Sequence, residues 1–147
     1  KAAKRYIDSY FEHYRGVSTF IEKTLHDARE KGYVRTLLGR KRPIPELSGK
    51  DAAARQFGER MAVNTPIQGT AADSIKLAMI NISKRLKKED LKSLMILQVH
   101  DELVFEVPEG ELEIMKKLVC EEMEGVMELK VPLKVDIGVG KNWSEAH

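Results

Sequence analysis

The stretch Ser93–Val107, which reads SLMILQVHDELVFEV, decides the fold class. It contains two short runs rich in β-forming residues, Ser93–Val99 and Leu103–Val107, with the polar tripeptide His100–Glu102 between them. Two such runs separated by a few polar residues predict an antiparallel hairpin. The sequence therefore predicts an imidazole and two carboxylates at the tip of an otherwise apolar hairpin.

The residues before this hairpin predict three helices. Apolar residues recur at helical spacing from Tyr6 to Glu30, and Gly32 follows as a C-terminal stop. A second helix is expected from about Asp51 towards Asn64, and Thr65-Pro66 should kink or break it because proline lacks an amide donor. A third helix follows and ends in the polar run 87–90. Its apolar face is formed by Ile75, Met79, Ile82 and Leu86.

The residues after the hairpin predict one more helix and one more strand. Pro108 and Glu109 begin a helix with an apolar stripe, and Leu133–Val139 alternates apolar and polar residues as a last strand. The stripe consists of Leu112, Met115, Val119, Met123 and Val126. A helical half followed by strand, strand, helix and strand predicts an α+β fold with an antiparallel sheet.

Charge is distributed unevenly along the 147 residues. The formal net charge is only +2, but residues 29–60 carry 9 basic and 4 acidic side chains, whereas residues 99–147 carry 5 and 12. This pattern suggests contact with a polyanion in the first half and cation binding in the second, although solvated helix faces explain it as well. With 33% charged and 42% hydrophobic residues, the composition excludes a disordered chain.

The cysteine content and the length of the apolar runs narrow the class of protein further. Cys120 is the only cysteine, which excludes a disulfide framework and fits a reducing compartment. The longest apolar run, Leu94–Leu97, is too short for a membrane span or a signal-peptide core. We therefore predict a cytoplasmic protein without membrane contact.

The carboxylates of the predicted hairpin tip are candidate metal ligands. If the turn brings Asp101 and Glu102 together, their oxygens suit a hard divalent cation such as Mg²⁺. Asp and His are also common in ordinary turns. On these few residues alone, an ordinary polar turn is the preferred interpretation.

Two further groups of residues are candidates for nucleic-acid contact. Arg60, Asn64 and Gln68 are spaced four apart, which places these long hydrogen-bond donors on one helix face. Such a face suits the DNA minor groove, where every base pair offers similar acceptors. A solvated helix face with a cap is the alternative and would be preferred in isolation.

The second group is the cationic turn Arg40-Lys41-Arg42, with Arg35 nearby. Because Pro43 and Pro45 follow, we expect a turn without regular structure at this place. A compact basic cluster suits phosphates, and a basic surface loop without a ligand is an equally common explanation.

These features occur in the order found in one known family. The chain resembles the C-terminal end of a family A DNA polymerase (DNA polymerase I type) over nearly all of its length. The motifs that carry the resemblance are GYVRTLLGRKR (Gly32–Arg42), ERMAVNTPIQGTAAD (Glu59–Asp73), LQVHDELVFEVP (Leu97–Pro108) and VPLKVDIGVGKNW (Val131–Trp143). The resemblance implies fingers-side helices and a basic loop in about 1–65, and palm in about 66–147.

The resemblance also assigns roles to the candidate residues. Asp101 matches the family's metal-binding aspartate, Glu102 its accessory carboxylate, and His100 a residue that contacts the primer end. Residues matching the minor-groove set are Arg60, Asn64 and Gln68, and those matching a backbone-contacting loop are Arg40, Lys41 and Arg42, with Arg35 beside them. The family's aromatic residue after this basic run is replaced here by Pro43.

The implied reaction is template-directed transfer of dNMP from a dNTP to a primer 3′-hydroxyl, with two Mg²⁺ ions, in DNA replication and repair on the nucleoid. The implied partners are primer–template DNA, dNTP and the remaining N-terminal part of the same polypeptide. The family's second aspartate and its nucleotide-binding fingers helix have no match between Lys1 and His147. We therefore expect the isolated chain to be inactive. The alternatives are a non-catalytic duplex-DNA-binding module and, less favoured, a domain that binds nothing.

Overall fold

The computed structural model describes residues 2–146 and divides at Thr70/Ala71 into two compact units, each described here by itself. The helices are α1 (Ala2–His13), α2 (Arg15–Lys31), α3 (Ala52–Lys88), α4 (Leu112–Glu124) and α5 (Trp143–Ala146). The strands are β1 (Tyr33–Arg35), β2 (Lys41–Pro43), β3 (Leu94–Val99) and β4 (Glu102–Glu106), and short 3₁₀ helices cover Pro45–Ser48 and Glu109–Glu111. Within residues 2–146, no helix combines the length and apolar character needed to cross a membrane.

The first predicted helix, Tyr6–Glu30, is wrong in one respect, because it is interrupted at Tyr14. Tyr14 has non-helical angles, φ −107° and ψ 61°, and α2 begins at the next residue. Gly16, a weak helix former, is the second residue of α2. The predicted stop at Gly32 is confirmed: this residue has φ 74° and its amide donates to the carbonyl of Ala28.

Lys41 and Arg42 of the basic segment lie in a strand, contrary to the prediction of an irregular turn, whereas Arg40 lies in the connection between the two strands. Strand β2 pairs antiparallel with β1, with Tyr33 opposite Pro43 and Arg35 opposite Lys41. Pro43 is tolerated because it lies at the end of an edge strand, where a missing amide donor breaks no further ladder bond. The turn between the strands contains Gly39 with φ 84°.

Helix α3 continues through Pro66, so the predicted break at Thr65-Pro66 is also wrong. The proline removes one donor, the one that would bond the carbonyl of Ala62. The hydroxyls of Thr65 and Thr70 donate back to the carbonyls of Met61 and Pro66, one turn earlier. Ala62 is fully buried in the core of the first unit, so tertiary packing holds the helix together across the proline.

The core of the first unit lies between α2, the β1–β2 ribbon and the first part of α3. Its buried residues are Ala28, Val34, Ile44 and Ala62, with Leu25, Leu47 and Met61 packed against them. Val34 faces inward from β1, and Arg42 lies opposite it in β2. Cross-strand partners share one side of a ribbon, so Arg42 belongs to the side that faces the core.

The second unit confirms the predicted hairpin. Strands β3 and β4 pair antiparallel through a two-residue loop, His100-Asp101, since Val99 lies opposite Glu102. One side of the hairpin packs on a core shared by α3 and α4. The buried members of this core are Ile82, Leu86, Met115, Leu118 and Val119.

The carboxylate of Glu111 fixes the start of β3. It accepts hydrogen bonds from the amides of Lys92 and Ser93, at 2.8 and 2.9 Å, and from the Ser93 hydroxyl at 2.6 Å. These bonds lower the pKa of Glu111, with the Lys92 amide as the largest cause. The 3₁₀ helix Glu109–Glu111 is thereby joined to the residues directly before β3.

The predicted last strand, Leu133–Val139, is not formed, and the sheet of the second unit has two strands in the described residues. Alternation predicts which way side chains point, but a strand also needs a backbone partner. Here the amide of Val135 donates to the side chain of Glu124 instead. The α+β class itself is confirmed, since helices are combined with small antiparallel sheets.

Candidate functional site

A groove of about 350 Å³ lies in the first unit and is lined by the predicted donor face of α3. Arg60, Asn64 and Gln68 are all exposed and all line it, which confirms that they share one helix face. We call this surface the basic groove. Its lining residues are Arg40, Arg42, Phe57, Arg60, Met61, Asn64, Thr65, Gln68 and Gly69.

Arg42 is held against α3 by two contacts. Its guanidinium donates to the Thr65 hydroxyl at 3.1 Å and to the sulfur of Met61 at 3.3 Å. The Thr65 hydroxyl in turn donates a hydrogen bond to the Met61 carbonyl at 2.7 Å. The cation on β2 is therefore positioned by the helix whose exposed donors line the same groove.

Arg40 reaches the groove through a close approach at Gly69. Its guanidinium donates to the Gly69 carbonyl at 3.1 Å. A Cβ atom on Gly69 would lie only 2.7 Å from Cγ2 of Thr36, which is 5% exposed. Glycine is required here because the turn between β1 and β2 lies directly on the helix backbone. The Leu37 amide donates to the hydroxyl of Thr70 and adds a second tie between turn and helix.

Arg35 and Lys41 lie outside the basic groove. They are cross-strand partners on the side of the ribbon that carries Tyr33, and their charged groups stand 5.4 and 4.8 Å from the centre of its ring. The Arg35 guanidinium, followed by the charge of Lys41, lowers the pKa of the Tyr33 phenol. The predicted basic cluster is therefore divided, with alternate residues on opposite sides of the ribbon.

The electrostatics of the basic groove favour anions. Three arginines line it, and no carboxylate is among the described lining residues. Glu59, which precedes Arg60 in the sequence, forms an ion pair with Arg29 at 2.5 Å. The Arg60 guanidinium lies 5.9 Å from the ring centre of Phe57. Such a surface presents hydrogen-bond donors to phosphates and to base-edge acceptors.

Sequence reasoning missed Phe57, Met61, Thr65 and Gly69 as groove residues. Thr65 was detectable, because it precedes Gln68 by three residues on the helix. Phe57 and Met61 were detectable, since they precede Arg60 and Thr65 at helical spacings of three and four residues. Gly69 had no comparable signal, because its role depends on the distant residue Thr36.

The tip of the second unit's hairpin presents Asp101 to solvent. Asp101 is exposed, and its carboxylate has no ion pair or hydrogen bond among the described residues. Glu102 begins β4 and is half-buried. His100 has φ 53°, a left-handed conformation rare for residues with a Cβ atom. Sequence reasoning gave no role to Gln98, whose side-chain amide donates to the His100 carbonyl at 2.6 Å.

The described residues contain no group of three or more His, Cys, Asp or Glu side chains placed to hold a metal ion. Asp101 and Glu102 therefore form at most part of a ligand set. Hard divalent cations take six or more oxygen ligands, some from water and substrate. What the tip offers by itself is the accessible carboxylate of Asp101, followed in the sequence by the half-buried Glu102.

Comparison with known proteins gives a consistent result over the whole chain. The model of the family "DNA polymerase family A" matches residues 1–145. The chain is 51% identical to DNA polymerase I of Bacillus subtilis and 50% identical to that of Lactococcus lactis, over 146 residues in each case. It is 49% identical to the thermostable DNA polymerase I of Thermus filiformis over 146 residues. Each alignment covers 99% of this chain and 17% of the relative, so the chain spans about one sixth of these polymerases.

A solved structure supports the same assignment. The POL domain of Pol1 from M. smegmatis, in complex with DNA primer–template and dNTP, matches with a TM-score of 0.95 and 45% identity. The match covers 99% of this chain and 26% of that one. Family model, relatives and structure agree over 99% of the chain or nearly so. The chain belongs to DNA polymerase family A.

Proposed function

We propose that the chain is part of a DNA-directed DNA polymerase that adds dNMP from a dNTP to a primer 3′-hydroxyl in DNA replication and repair. The observation that carries this proposal is the match, at a TM-score of 0.95, to a polymerase domain bound to primer–template and dNTP. As part of a replication and repair enzyme, the chain would act on the chromosome, in the cytoplasmic nucleoid. Fingers-side elements would occupy about 1–65 and the palm about 66–147.

The proposed role of the basic groove is to hold the primer–template duplex. Arg60, Asn64 and Gln68 would donate to the N3 and O2 acceptors of the minor groove, which every Watson–Crick pair presents in similar positions. These contacts depend on pair shape rather than on sequence. Arg40 and Arg42, held by Gly69, Thr65 and Met61, would bind backbone phosphates. Arg35 and Lys41 would contact phosphate from the other side of the ribbon.

The proposed role of the hairpin tip is catalytic. Asp101 fits a divalent-metal ligand because its carboxylate is exposed and unpaired in the described residues. We assign the metal as Mg²⁺, with two ions in the complete centre, held by Asp101, Glu102 and carboxylates from the rest of the polypeptide. When bound, the ions would activate the primer hydroxyl and stabilise the charge on the leaving pyrophosphate.

The chain's own residues would align the reacting groups. With His100 at the primer end, the 3′-oxygen would attack the α-phosphate of the dNTP. The new phosphodiester bond forms as the bond to pyrophosphate breaks, and the hydroxyl proton is lost to solvent. Because two carboxylates cannot satisfy two ions, we expect no primer extension by the isolated chain.

Single-nucleotide incorporation by the full-length polypeptide tests the catalytic assignment. Asp101→Asn keeps size and removes the charge, so we expect the single-turnover rate constant to fall at least about a hundredfold with little change in duplex affinity. Asp136→Asn is the matched control, since Asp136 is also exposed in the second unit and forms no ion pair there. An Asp101→Asn enzyme with the wild-type rate would refute the assignment.

Duplex affinity at several salt concentrations tests the groove. Loss of a phosphate contact in Arg40→Ala should lower the salt slope of log Kd by about 1. Asn64→Ala should weaken binding with the slope unchanged. Lys23→Ala, an exposed cation on α2, is the control. If the groove variants weaken binding while Asp101→Asn extends primers normally, the chain is a non-catalytic duplex-DNA-binding module.

A further inference from the structure

The hairpin tip departs from regular geometry at two places close to Asp101. The first is a β-bulge: Met95 lies opposite Phe105, but Leu97 lies opposite Val104, so one extra residue is inserted at Ile96. The second is His100, which has φ 53° at the first position of a two-residue loop. Glycine is the residue that usually occupies a left-handed position in such loops.

The bulge changes which side of the hairpin Gln98 occupies. Gln98 lies opposite Leu103, and Leu103 and Phe105 pack against the core. Without the extra residue, Gln98 would fall on the other side, because a one-residue slip exchanges the two faces of a strand. With it, Gln98 lies on the side of Leu103, and its exposed side chain reaches the loop.

The contact that Gln98 makes there restrains a peptide group. Its side-chain amide donates to the His100 carbonyl at 2.6 Å. That carbonyl belongs to the peptide that joins His100 to Asp101, and the atoms of a peptide group lie in one plane. Fixing the oxygen therefore fixes the direction in which the chain enters Asp101. It also opposes relaxation of His100 out of its left-handed conformation.

We infer that Gln98 is a positioning residue that orients the Asp101 carboxylate for the catalytic metal. The inference rests on the proposed function, since it assumes that Asp101 is a ligand. Gln98 touches neither substrate nor metal in this role and acts through the His100–Asp101 peptide. Its own side chain is exposed, so the contact contributes to geometry at the tip more than to the core.

Gln98→Met in the full-length polymerase tests this inference, because methionine keeps the length of the side chain and removes the donor. Mn²⁺ is the probe, and its binding is measured by electron paramagnetic resonance on a ternary complex with dNTP and a dideoxy-terminated primer, where no turnover occurs. We expect Mn²⁺ affinity to fall at least threefold and the Mg²⁺ concentration for half-maximal incorporation to rise by a similar factor. Duplex affinity should stay within twofold of wild type.

Two further variants make every outcome decisive. Gln98→Asn keeps the amide but is one methylene too short, so it should behave like Gln98→Met. Gln56→Met, at an exposed glutamine of α3, should change neither metal affinity nor rate. Wild-type metal affinity in both Gln98 variants overturns the inference. A loss of rate that is fully explained by a lower unfolding midpoint also overturns it. A normal rate in Asp101→Asn would instead overturn the proposed function.

Discussion

Replacing Gly69 by alanine tests the close approach between α3 and the β1–β2 turn. The added Cβ would lie 2.7 Å from Cγ2 of Thr36 and 3.4 Å from the Arg40 guanidinium. Thr36 cannot rotate away freely, since its hydroxyl accepts from the Arg40 amide at 3.2 Å and its amide donates to the Arg40 carbonyl at 3.0 Å. The clash must therefore move the turn or the helix.

The size of the effect follows from two opposing contributions. Overpacking of a closely packed position costs about 1–3 kcal/mol. Alanine in a helix interior is more favourable than glycine by roughly 0.5–1 kcal/mol. Gly69→Ala should therefore lower the free energy of unfolding by about 1 kcal/mol, within the limits of about 0–2.5 kcal/mol that the difference of these two ranges allows. It should also weaken duplex binding, because Arg40 is displaced from the Gly69 carbonyl.

Gly16→Ala is the matched control, because it makes the same substitution in a helix where a Cβ would meet nothing within 4 Å. We expect this variant to be as stable as the wild type or more stable. The assay is urea denaturation of the full-length polypeptide followed by far-ultraviolet circular dichroism. If Gly69→Ala proves as stable as Gly16→Ala, the close approach is not a constraint and the reasoning fails.

Three further predictions concern stability and titration. The folded pKa of Glu111 is below its ordinary value of 4.5, so its contribution to stability is complete above that pH and is lost as the pH falls through the folded pKa. In acid denaturation, the free energy of unfolding should therefore depend less on pH in Glu111→Gln than in the wild type. Leu118→Ala, at a side chain 1% exposed, should cost about 2–5 kcal/mol of unfolding free energy in urea, and a loss below about 1 kcal/mol would contradict its place in the core. Arg35→Ala should raise the pKa of Tyr33 towards 10.0 in an ultraviolet titration, and an unchanged phenol would mean that the guanidinium does not act on it.

The fold was predictable where the signal is local. Gly32 ends a helix because it adopts a left-handed conformation easily, and the hairpin around Asp101 follows from two β-forming runs and a polar loop. The failures concern features set by distant residues. Pro66 is carried inside α3 by packing around Ala62, and Leu133–Val139 shows strand-like alternation without a described backbone partner.

The features of the candidate site likewise divide into those that local sequence patterns predict and those that depend on distant residues. The shared face of Arg60, Asn64 and Gln68 follows from helical periodicity, and the structure confirms it. The separation of Arg42 from Lys41 follows from strand alternation, but only once the basic segment is known to be a strand. The contact of Gly69 with Thr36 joins residues 33 positions apart, and no local pattern encodes it.

The sulfur of Met61 gives the basic groove a sensitivity to peroxide. A thioether is a weak hydrogen-bond acceptor, whereas the sulfoxide formed by oxidation is a polar group with a strong acceptor oxygen. The Arg42 guanidinium, 3.3 Å away, would be bound more tightly by that oxygen and become less available to a phosphate. Oxidation at this single position would thus reduce duplex binding and would also disturb the packing of Met61 against the core of the first unit. Methionine sulfoxide reductase would reverse the oxidation. Peptide mapping after mild peroxide treatment, combined with measurements of duplex affinity on the same samples, would test whether oxidation of Met61 weakens duplex binding.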